Sequence, residues 1–183
     1  MWQDGPATRA ARQGAILYLD EVSEAREDVI VVLHPLSDHR RQLYLDRHAE
    51  SIDAAAGFML VASFNPGYRR GLKELRLSTR QRFVSLAFAY PPAEIEAEIV
   101  QAESEAPAAT ARALVGLAQR IRAVEELGLE ESVSTRLLVG AARLMRAGLA
   151  ARRACDVAIV QPLSDDASTV AALRDLVALA MPA

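Results

Sequence analysis

A change in residue composition at Pro91-Pro92 constrains the fold of this chain more than any other sequence feature. Before the proline pair the chain has β-branched runs, turn residues and most of its aromatic residues, whereas alanine, leucine, glutamate and arginine dominate after it. These four residue types are strong helix formers. A double proline is typical of a hinge or of a helix start. We therefore predict an α/β domain over residues 1–91 and an all-α domain over residues 92–183.

The overall composition excludes several classes of protein. The 183 residues are 51% hydrophobic and 25% charged with a net charge of −3, which indicates a globular protein with a sizeable core. The near-neutral charge gives no basic surface for nucleic acid. Since no apolar run is long enough to span a bilayer and the N-terminus lacks a secretory pattern, we expect a cytoplasmic protein. The single cysteine, Cys155, excludes an internal disulfide framework and is predicted to be a packed thiol.

Polar side chains follow two predicted strands of the first half. Residues 16–21 form an apolar run that ends in the carboxylates Asp20 and Glu21, and the buried strand predicted over 58–62 is followed by Asn65. Because the carboxyl ends of strands in an open α/β sheet form the ligand-binding edge, these side chains could converge there. One carboxylate can approach Mg²⁺ while the other orients or deprotonates an attacking water. Taken alone, a strand that simply meets a helix cap is the competing interpretation.

The rest of the first half is predicted from shorter patterns. Residues 29–33 are assigned to a helix, with a strand as the alternative because four of the five are β-branched. We also predict a β-hairpin over 41–56, a helical turn over 72–75, a helix capped by Ser78 or Thr79, and a strand over 84–88 that completes a three-stranded half-sheet. His34, Asp38, His39 and His48 fit no zinc-binding spacing, so capping or solvated roles are predicted for them.

Helical periodicity covers the second half. In the first of its helices, Ile95, Ile99 and Val100 are predicted to face the core, with the glutamates, including Glu96, on the solvent side. The predicted helices are 93–103, 111–127, a helix that Ser134 caps and Gly148 ends, 150–160 stopped by Pro162, and 167–179.

Four motifs occur in an order that resembles the AAA+ ATPases of the MoxR group, and more narrowly their CbbQ/NorQ branch. They are Leu-Tyr-Leu-Asp-Glu-Val, Val-Ala-Ser-Phe-Asn-Pro-Gly-Tyr, Ser-Thr-Arg-Gln-Arg-Phe and Ser-Thr-Arg-Leu-Leu. The resemblance runs from Trp2 to about Pro162. It implies that the first half is part of a P-loop NTPase sheet, that the second half is the helical lid, and that subunits form rings, usually hexamers.

The resemblance also implies roles for individual residues, with ATP and Mg²⁺ as cofactors. Asp20 would be the Walker B residue for magnesium and Glu21 the base that activates water. Asn65 would be sensor 1. Arg82, with Arg80 beside it, would be an arginine finger on the nucleotide of the neighbouring subunit. Arg136 would be sensor 2, which reaches from the lid to the phosphates.

The same resemblance implies partners and shows one departure. The branch implies a partner with a von Willebrand factor A domain and a client enzyme, nitric oxide reductase if NorQ-like or rubisco if CbbQ-like. However, the phosphate loop Gly-x-x-x-x-Gly-Lys-Ser/Thr, which the family carries before Walker B, is not found in the 183 residues. We therefore expect either an internal or misassigned start at Met1 or a truncated relative. A non-hydrolysing regulatory or interaction subunit is the alternative function.

Overall fold

The computed structural model describes residues 3–65, 75–124, 129 and 132–182. The chain divides into two compact units, residues 1–87 and residues 88–183, which are described here one at a time. In the first unit the helices are α1 (Pro6–Gln13), α2 (Glu27–Val32), α3 (His34–Ser37) and α4 (Leu77–Arg80). Its strands are β1 (Ile16–Leu19), β2 (Gln42–Leu45), β3 (Glu50–Asp53) and β4 (Met59–Ala62). Short 3₁₀ turns cover Val22–Glu24 and Asp46–His48.

The strands β1 and β4 are adjacent and parallel, so their carboxyl ends lie at the same edge of the sheet. Ile16 pairs with Met59 and Leu19 with Ala62, so both strands end at the same level. One face of this pair is packed, since Leu17 and Phe58 are buried. The other face is open among the described residues: Ile16 is 66% exposed and Met59 56%. The prediction that these strands are buried is therefore wrong for that face.

The predicted β-hairpin is confirmed by the antiparallel pair β2 and β3. Its inward residues, Leu43 and Ile52, lie opposite each other and join the core of the first unit. Alternation in β2 places Leu43 inside while Tyr44 is exposed, because successive side chains of a strand point to opposite faces. The other buried members of this core are Ala10, Ala11, Leu17, Leu36 and Phe58.

Four further predictions concern the first unit. The helix over residues 29–33 is confirmed by α2, although none of its residues is buried. The strand predicted over 84–88 is wrong: these residues have no regular structure, and Val84 and Phe88 are each 94% exposed. Neither Ser78 nor Thr79 caps α4, because the helix begins at Leu77 after Arg76. The helical turn predicted over 72–75 falls mostly outside the described residues.

The second unit is helical in its described part, as predicted. Its helices are α5 (Ala93–Ser104), α6 (Ala108–Ala123), α7 (Thr135–Arg146), α8 (Ala151–Cys155), α9 (Gln161–Leu163) and α10 (Ala167–Ala180), with a π-helical turn over Asp156–Val160 between α8 and α9. One hydrophobic core joins them, and its fully buried members include Leu114, Leu117, Leu138, Ile159 and Leu173. Pro162 does not end the segment at residue 160, since helical structure continues through it to Leu163.

A side-chain cap fixes the start of α10, and one side chain of α5 is buried against expectation. Asp166 is the N-cap of α10, and its carboxylate accepts hydrogen bonds from the Thr169 N–H at 2.8 Å and from the Ser168 hydroxyl at 2.5 Å. In α5 Val100 is fully buried, as predicted. The predicted orientation is wrong for Ile95 and Ile99, which are 48% and 38% exposed, and for Glu96, which is 1% exposed. A carboxylate in the core requires partners, and these are described below.

Candidate functional site

The carboxyl ends of β1 and β4 are joined by backbone hydrogen bonds. The Ser63 N–H donates to the Leu19 carbonyl at 2.9 Å, and the Val22 N–H donates to the Ser63 carbonyl at 2.9 Å. In the segment that follows β1, Asp20 and Glu21 lie between these two bonds. In the segment that follows β4, Ser63 takes part in both bonds. Because both peptide segments are paired in this way, the edge that carries the carboxylates is fixed by the register of the parallel strands.

Asp20 is oriented by two hydroxyl groups. The Ser63 hydroxyl donates to Oδ1 of Asp20 at 2.5 Å, and the Tyr18 hydroxyl donates to the same oxygen at 2.9 Å. The Ser63 Oγ also accepts a hydrogen bond from the Glu21 N–H at 3.1 Å. Sequence reasoning missed both hydroxyl residues. Their signal is positional: Tyr18 lies on β1 two residues before Asp20, and Ser63 directly follows β4.

Glu21 occupies an uncommon backbone conformation. Its φ is 47° and its ψ is 49°, the left-handed region, and it directly precedes the Val22–Glu24 turn. A non-glycine residue in this region is strained by about 1–3 kcal/mol, and such strain is concentrated at functional sites. The Glu21 side chain is exposed and directly follows Asp20 in the chain. The two adjacent carboxylates therefore have different backbone settings, consistent with separate roles.

Asn65 lies at the same edge by chain position, two residues beyond Ser63, and it is exposed. Residues 66–74, which include the Pro-Gly that follows it, are outside the described part of the chain. The structure thus brings Asp20, Glu21 and Asn65 to one end of the β1–β4 pair. The role of Asn65 as sensor 1 stays a prediction.

The arginines predicted as a finger lie at the end of α4. Arg80 is the last residue of the helix and is exposed, while Arg82 follows it and is partly buried. Nη1 of Arg82 donates to the Ser78 carbonyl at 2.6 Å, and Nη2 lies 3.9 Å from the Asp38 carboxylate. These contacts hold Arg82 against the end of α3.

Asp38 and His34 are two residues of α3 and its end that lie near Arg82. A hydrogen bond from the Arg40 side chain holds the pKa of Asp38 well below its usual range. Nε2 of His34 is 3.0 Å from the Thr79 hydroxyl, which links α3 to α4. Burial lowers the pKa of His34, and the nearby charge of Arg82 lowers it further. His34 is therefore a neutral structural link between α3 and α4.

Arg136 belongs to the second unit, where it is the second residue of α7 and is exposed. Its neighbour Thr135 is tied to the buried Glu96, because the Thr135 hydroxyl donates to Oε1 of Glu96 at 2.7 Å. Arg122 donates two further hydrogen bonds to Glu96, at 2.8 Å and 2.7 Å. The predicted contact of Arg136 with phosphate stays a prediction.

The oxygen ligands at the β1–β4 edge fit a hydrated Mg²⁺ ion. Mg²⁺ keeps several waters and is usually held by one or two carboxylates together with substrate phosphates. Asp20 provides such a carboxylate, and its orientation by two hydroxyl groups supplies the second layer of hydrogen bonds that metal ligands need. Among the described residues there is no cluster of three or more histidine, cysteine, aspartate or glutamate side chains suited to a metal.

No described helix combines the length and the apolar composition that crossing a membrane requires.

Two family models match the chain, one in each half. Residues 1–83 match the AAA domain of the dynein-related subfamily. Residues 96–180 match the family described as CbbQ/NirQ/NorQ C-terminal.

Curated relatives match nearly the whole chain. It is 56% identical over 178 residues to the denitrification regulatory protein NirQ of Pseudomonas aeruginosa, covering 97% of this chain and 68% of the relative. It is also 56% identical over 178 residues to protein NorQ of Paracoccus denitrificans, covering 97% and 66%. Identity to protein CbbQ of Hydrogenophilus thermoluteolus is 52% over 173 residues, covering 94% and 65%. The chain thus spans about two thirds of the length of these relatives.

Proposed function

The chain belongs to the CbbQ/NirQ/NorQ family of AAA proteins, and from this premise we propose that it is a subunit of a regulatory ATPase that acts on a client enzyme. Membership confirms the resemblance drawn from the motif order. The observation that carries the hydrolytic part of the proposal is the pair Asp20-Glu21, which is fixed at the carboxyl edge of two parallel strands with Asp20 oriented by Ser63. Open α/β sheets bind ligands at this edge.

Each predicted site residue has a role in this proposal. Mg²⁺, when bound, would neutralise charge on the phosphates. Asp20 would hold this ion, directly or through water, with one carboxylate oxygen kept in place by the Ser63 and Tyr18 hydroxyl groups. Glu21 would take the proton from the attacking water, and Asn65 would hold that water or the γ-phosphate.

The arginines would act on charge that develops during phosphoryl transfer. Arg82, with Arg80 beside it, would project to the nucleotide of a neighbouring subunit in a ring. Arg136 would contact the phosphates of its own subunit from the helical unit. When the same head-to-tail interface is repeated around a closed ring, every nucleotide site receives one arginine finger from the neighbouring subunit. A hexamer is one such ring and therefore fits the proposal.

The client is proposed from the relatives. NirQ is described as a denitrification regulatory protein, and the chain is equally similar to NorQ. We therefore favour nitric oxide reductase as the client, with rubisco as the choice if the chain acts like CbbQ. A protein with a von Willebrand factor A domain would link the ring to that client. Hydrolysis at subunit interfaces would move the helical unit and so drive remodelling of the client.

The alternative function is a non-hydrolysing regulatory subunit. Against it stand the Asp20–Ser63 contact and the retention of Glu21, Asn65 and Arg82 in the family order. A subunit that does not hydrolyse ATP has no use for this combination.

The test is ATP hydrolysis by the full gene product purified from its own cells, with its intact mass measured on the same sample. Glu21→Gln should lower kcat by about 10²–10⁴-fold while nucleotide binding is kept, because the amide cannot accept the proton. Glu24→Gln is the matched control, since Glu24 is also exposed and lies three residues away in the same turn. Hydrolysis that is absent from the native protein, or unchanged in Glu21→Gln, would favour the regulatory alternative.

A mixing experiment tests the ring separately. Arg82→Ala should lower kcat by about 10³-fold if the arginine acts as a finger. Random mixing of Arg82→Ala subunits with Glu21→Gln subunits leaves roughly one quarter of interfaces with both groups intact, so activity should return to that level. Mixtures that stay inactive would place Arg82 in its own subunit's site, and an unchanged kcat in Arg82→Ala would place it outside catalysis.

A further inference from the structure

The second unit contains an ion pair buried in its core. Glu96 on α5 is 1% exposed, and its carboxylate accepts hydrogen bonds from Nη1 and Nη2 of Arg122 on α6 at 2.8 Å and 2.7 Å. The Thr135 hydroxyl adds a third hydrogen bond at 2.7 Å. These three interactions outweigh the burial that would by itself raise the pKa of Glu96, and hold that pKa below its ordinary value. Glu96 is therefore charged, and three hydrogen bonds hold its carboxylate in place.

Arg122 extends the cluster to two further segments. Its Nε and Nη2 donate to the Val133 carbonyl at 2.9 Å and 2.7 Å. Its guanidinium carbon lies 3.6 Å from the centre of the Tyr90 ring, a cation–π geometry. One arginine thus connects the segment before α5, α5 itself, α6 and the residues that lead into α7. We call Glu96, Arg122 and Thr135 the buried cluster.

The buried cluster acts on the first turn of α7. Ser134 is the N-cap of this helix, but its side chain makes no capping hydrogen bond. Instead, Thr135 at the first helical position is bonded to Glu96, and the carbonyl of Val133, two residues earlier, is bonded to Arg122. A buried ion pair contributes little net stability compared with apolar packing, but it can specify one arrangement. The arrangement specified here is the position of the start of α7.

We propose that the buried cluster positions Arg136, the residue that directly follows Thr135. Successive residues on a helix are separated by about 100° around its axis, so fixing Thr135 against Glu96 fixes the direction in which Arg136 leaves the helix. Leu138, Ala141 and Ala142 anchor α7 in the core, and the cluster adds a fixed polar contact at its first residue, Thr135. This inference rests on the proposed function, in which Arg136 contacts the phosphates of ATP.

Thr135→Val is the variant that tests the inference. It removes the hydroxyl while keeping the shape of the side chain and the Glu96–Arg122 ion pair, whereas replacement of Glu96 would leave a buried arginine unpaired and endanger folding. Thr135→Ser keeps the hydroxyl and is the matched control. Both variants are made in the full gene product and compared with Arg136→Ala.

Two measurements are made on each variant. Amide hydrogen exchange of residues 137–139 reports the first turn of α7 without any nucleotide, and Thr135→Val should raise it about tenfold through loss of a hydrogen bond to a charged group. In steady-state hydrolysis, Thr135→Val should raise the KM for ATP by about three- to tenfold with a smaller change in kcat, because Arg136 is displaced rather than lost. Thr135→Ser should restore both values to within about twofold.

The double variant separates positioning from general damage. If Thr135 acts through Arg136, adding Thr135→Val to Arg136→Ala should raise KM no further. Unchanged exchange in Thr135→Val, or a KM effect that adds to that of Arg136→Ala, would overturn the inference. Absence of hydrolysis in the wild-type protein would instead refute the proposed function and with it the role of Arg136, while hydrogen exchange would still decide whether the cluster fixes α7.

Discussion

Replacement of Gly14 with alanine should destabilise the first unit, because two chain segments approach each other too closely there for a side chain. Gly14 follows α1 with a φ of 68° and leads directly into β1. A Cβ atom at Gly14 would lie 2.3 Å from the Ala56 carbonyl oxygen. On the opposite side, Gly57 has a φ of 90°, and a Cβ there would lie 3.1 Å from the Gly14 carbonyl oxygen. The two glycines thus allow the turn before β1 to cross the turn before β4.

Two separate effects contribute to the stability that Gly14→Ala loses, and a third effect partly offsets them. A non-glycine residue in the left-handed region costs about 1–3 kcal/mol. The clash is with backbone, which cannot rotate away, and Ala55 next to it is held by a hydrogen bond from its N–H to the Ala11 carbonyl at 2.8 Å. Forcing extra volume into such a site costs about 1–3 kcal/mol. Alanine also lowers the conformational entropy of the unfolded chain, which offsets up to about 1 kcal/mol of the lost stability. The net loss in the free energy of unfolding is therefore about 1–6 kcal/mol, centred at ~3.5 kcal/mol.

Denaturant titration with hydrogen exchange at β1 and β4 would measure this loss in the first unit alone. Gly5→Ala is the matched control, since it adds the same methyl group at a φ of −72° where no atom lies within 4 Å. Its effect should stay below about 1 kcal/mol. If Gly14→Ala were as stable as Gly5→Ala, the close crossing of the two turns would be refuted, and with it the explanation of how β1 and β4 reach their shared register.

Three smaller predictions concern single titratable groups. Hydrogen bonds from the Ser168 hydroxyl and from Thr169 lower the pKa of Asp166 to about 2, so the stabilisation it gives to α10 is present above the ordinary aspartate range and is lost as the pH falls towards 2. Asp166→Ala should therefore speed amide exchange in the first turn of α10 severalfold at pH 6, whereas Asp165→Ala should not. Burial raises the pKa of Cys155 to about 12, so intact-mass analysis at pH 8 should show alkylation by iodoacetamide only after urea is added. Burial and Arg82 lower the pKa of His34, so the first unit should lose stability as the pH falls below about 6.5, and His34→Gln should remove that part of the pH dependence in thermal melts.

Sequence reasoning succeeded where the determining interactions are local. The helices of the second half were predicted because alanine and leucine at helical spacing specify both the secondary structure and the buried side, as for Leu114 and Leu117. The β2–β3 hairpin was predicted for a similar reason, since alternation around Leu43 operates over a few residues. The strand over residues 84–88 has the same alternation, yet no strand forms. Strand formation depends on a partner that alternation does not encode.

Glu96 shows why the buried cluster could not be predicted from the pattern that revealed the helix. In isolation α5 presents isoleucines and glutamates, and apolar burial favours Ile95 inside and Glu96 outside. The structure reverses this because Arg122 and Thr135, 26 and 39 residues away in sequence, together supply three hydrogen bonds to the carboxylate. No local pattern in α5 contains those partners. A chain that retains a charged group in its core where a leucine would pack gains specificity rather than stability. The residue that follows Thr135 is the one that the family order assigns to the nucleotide, so we attribute that specificity to function.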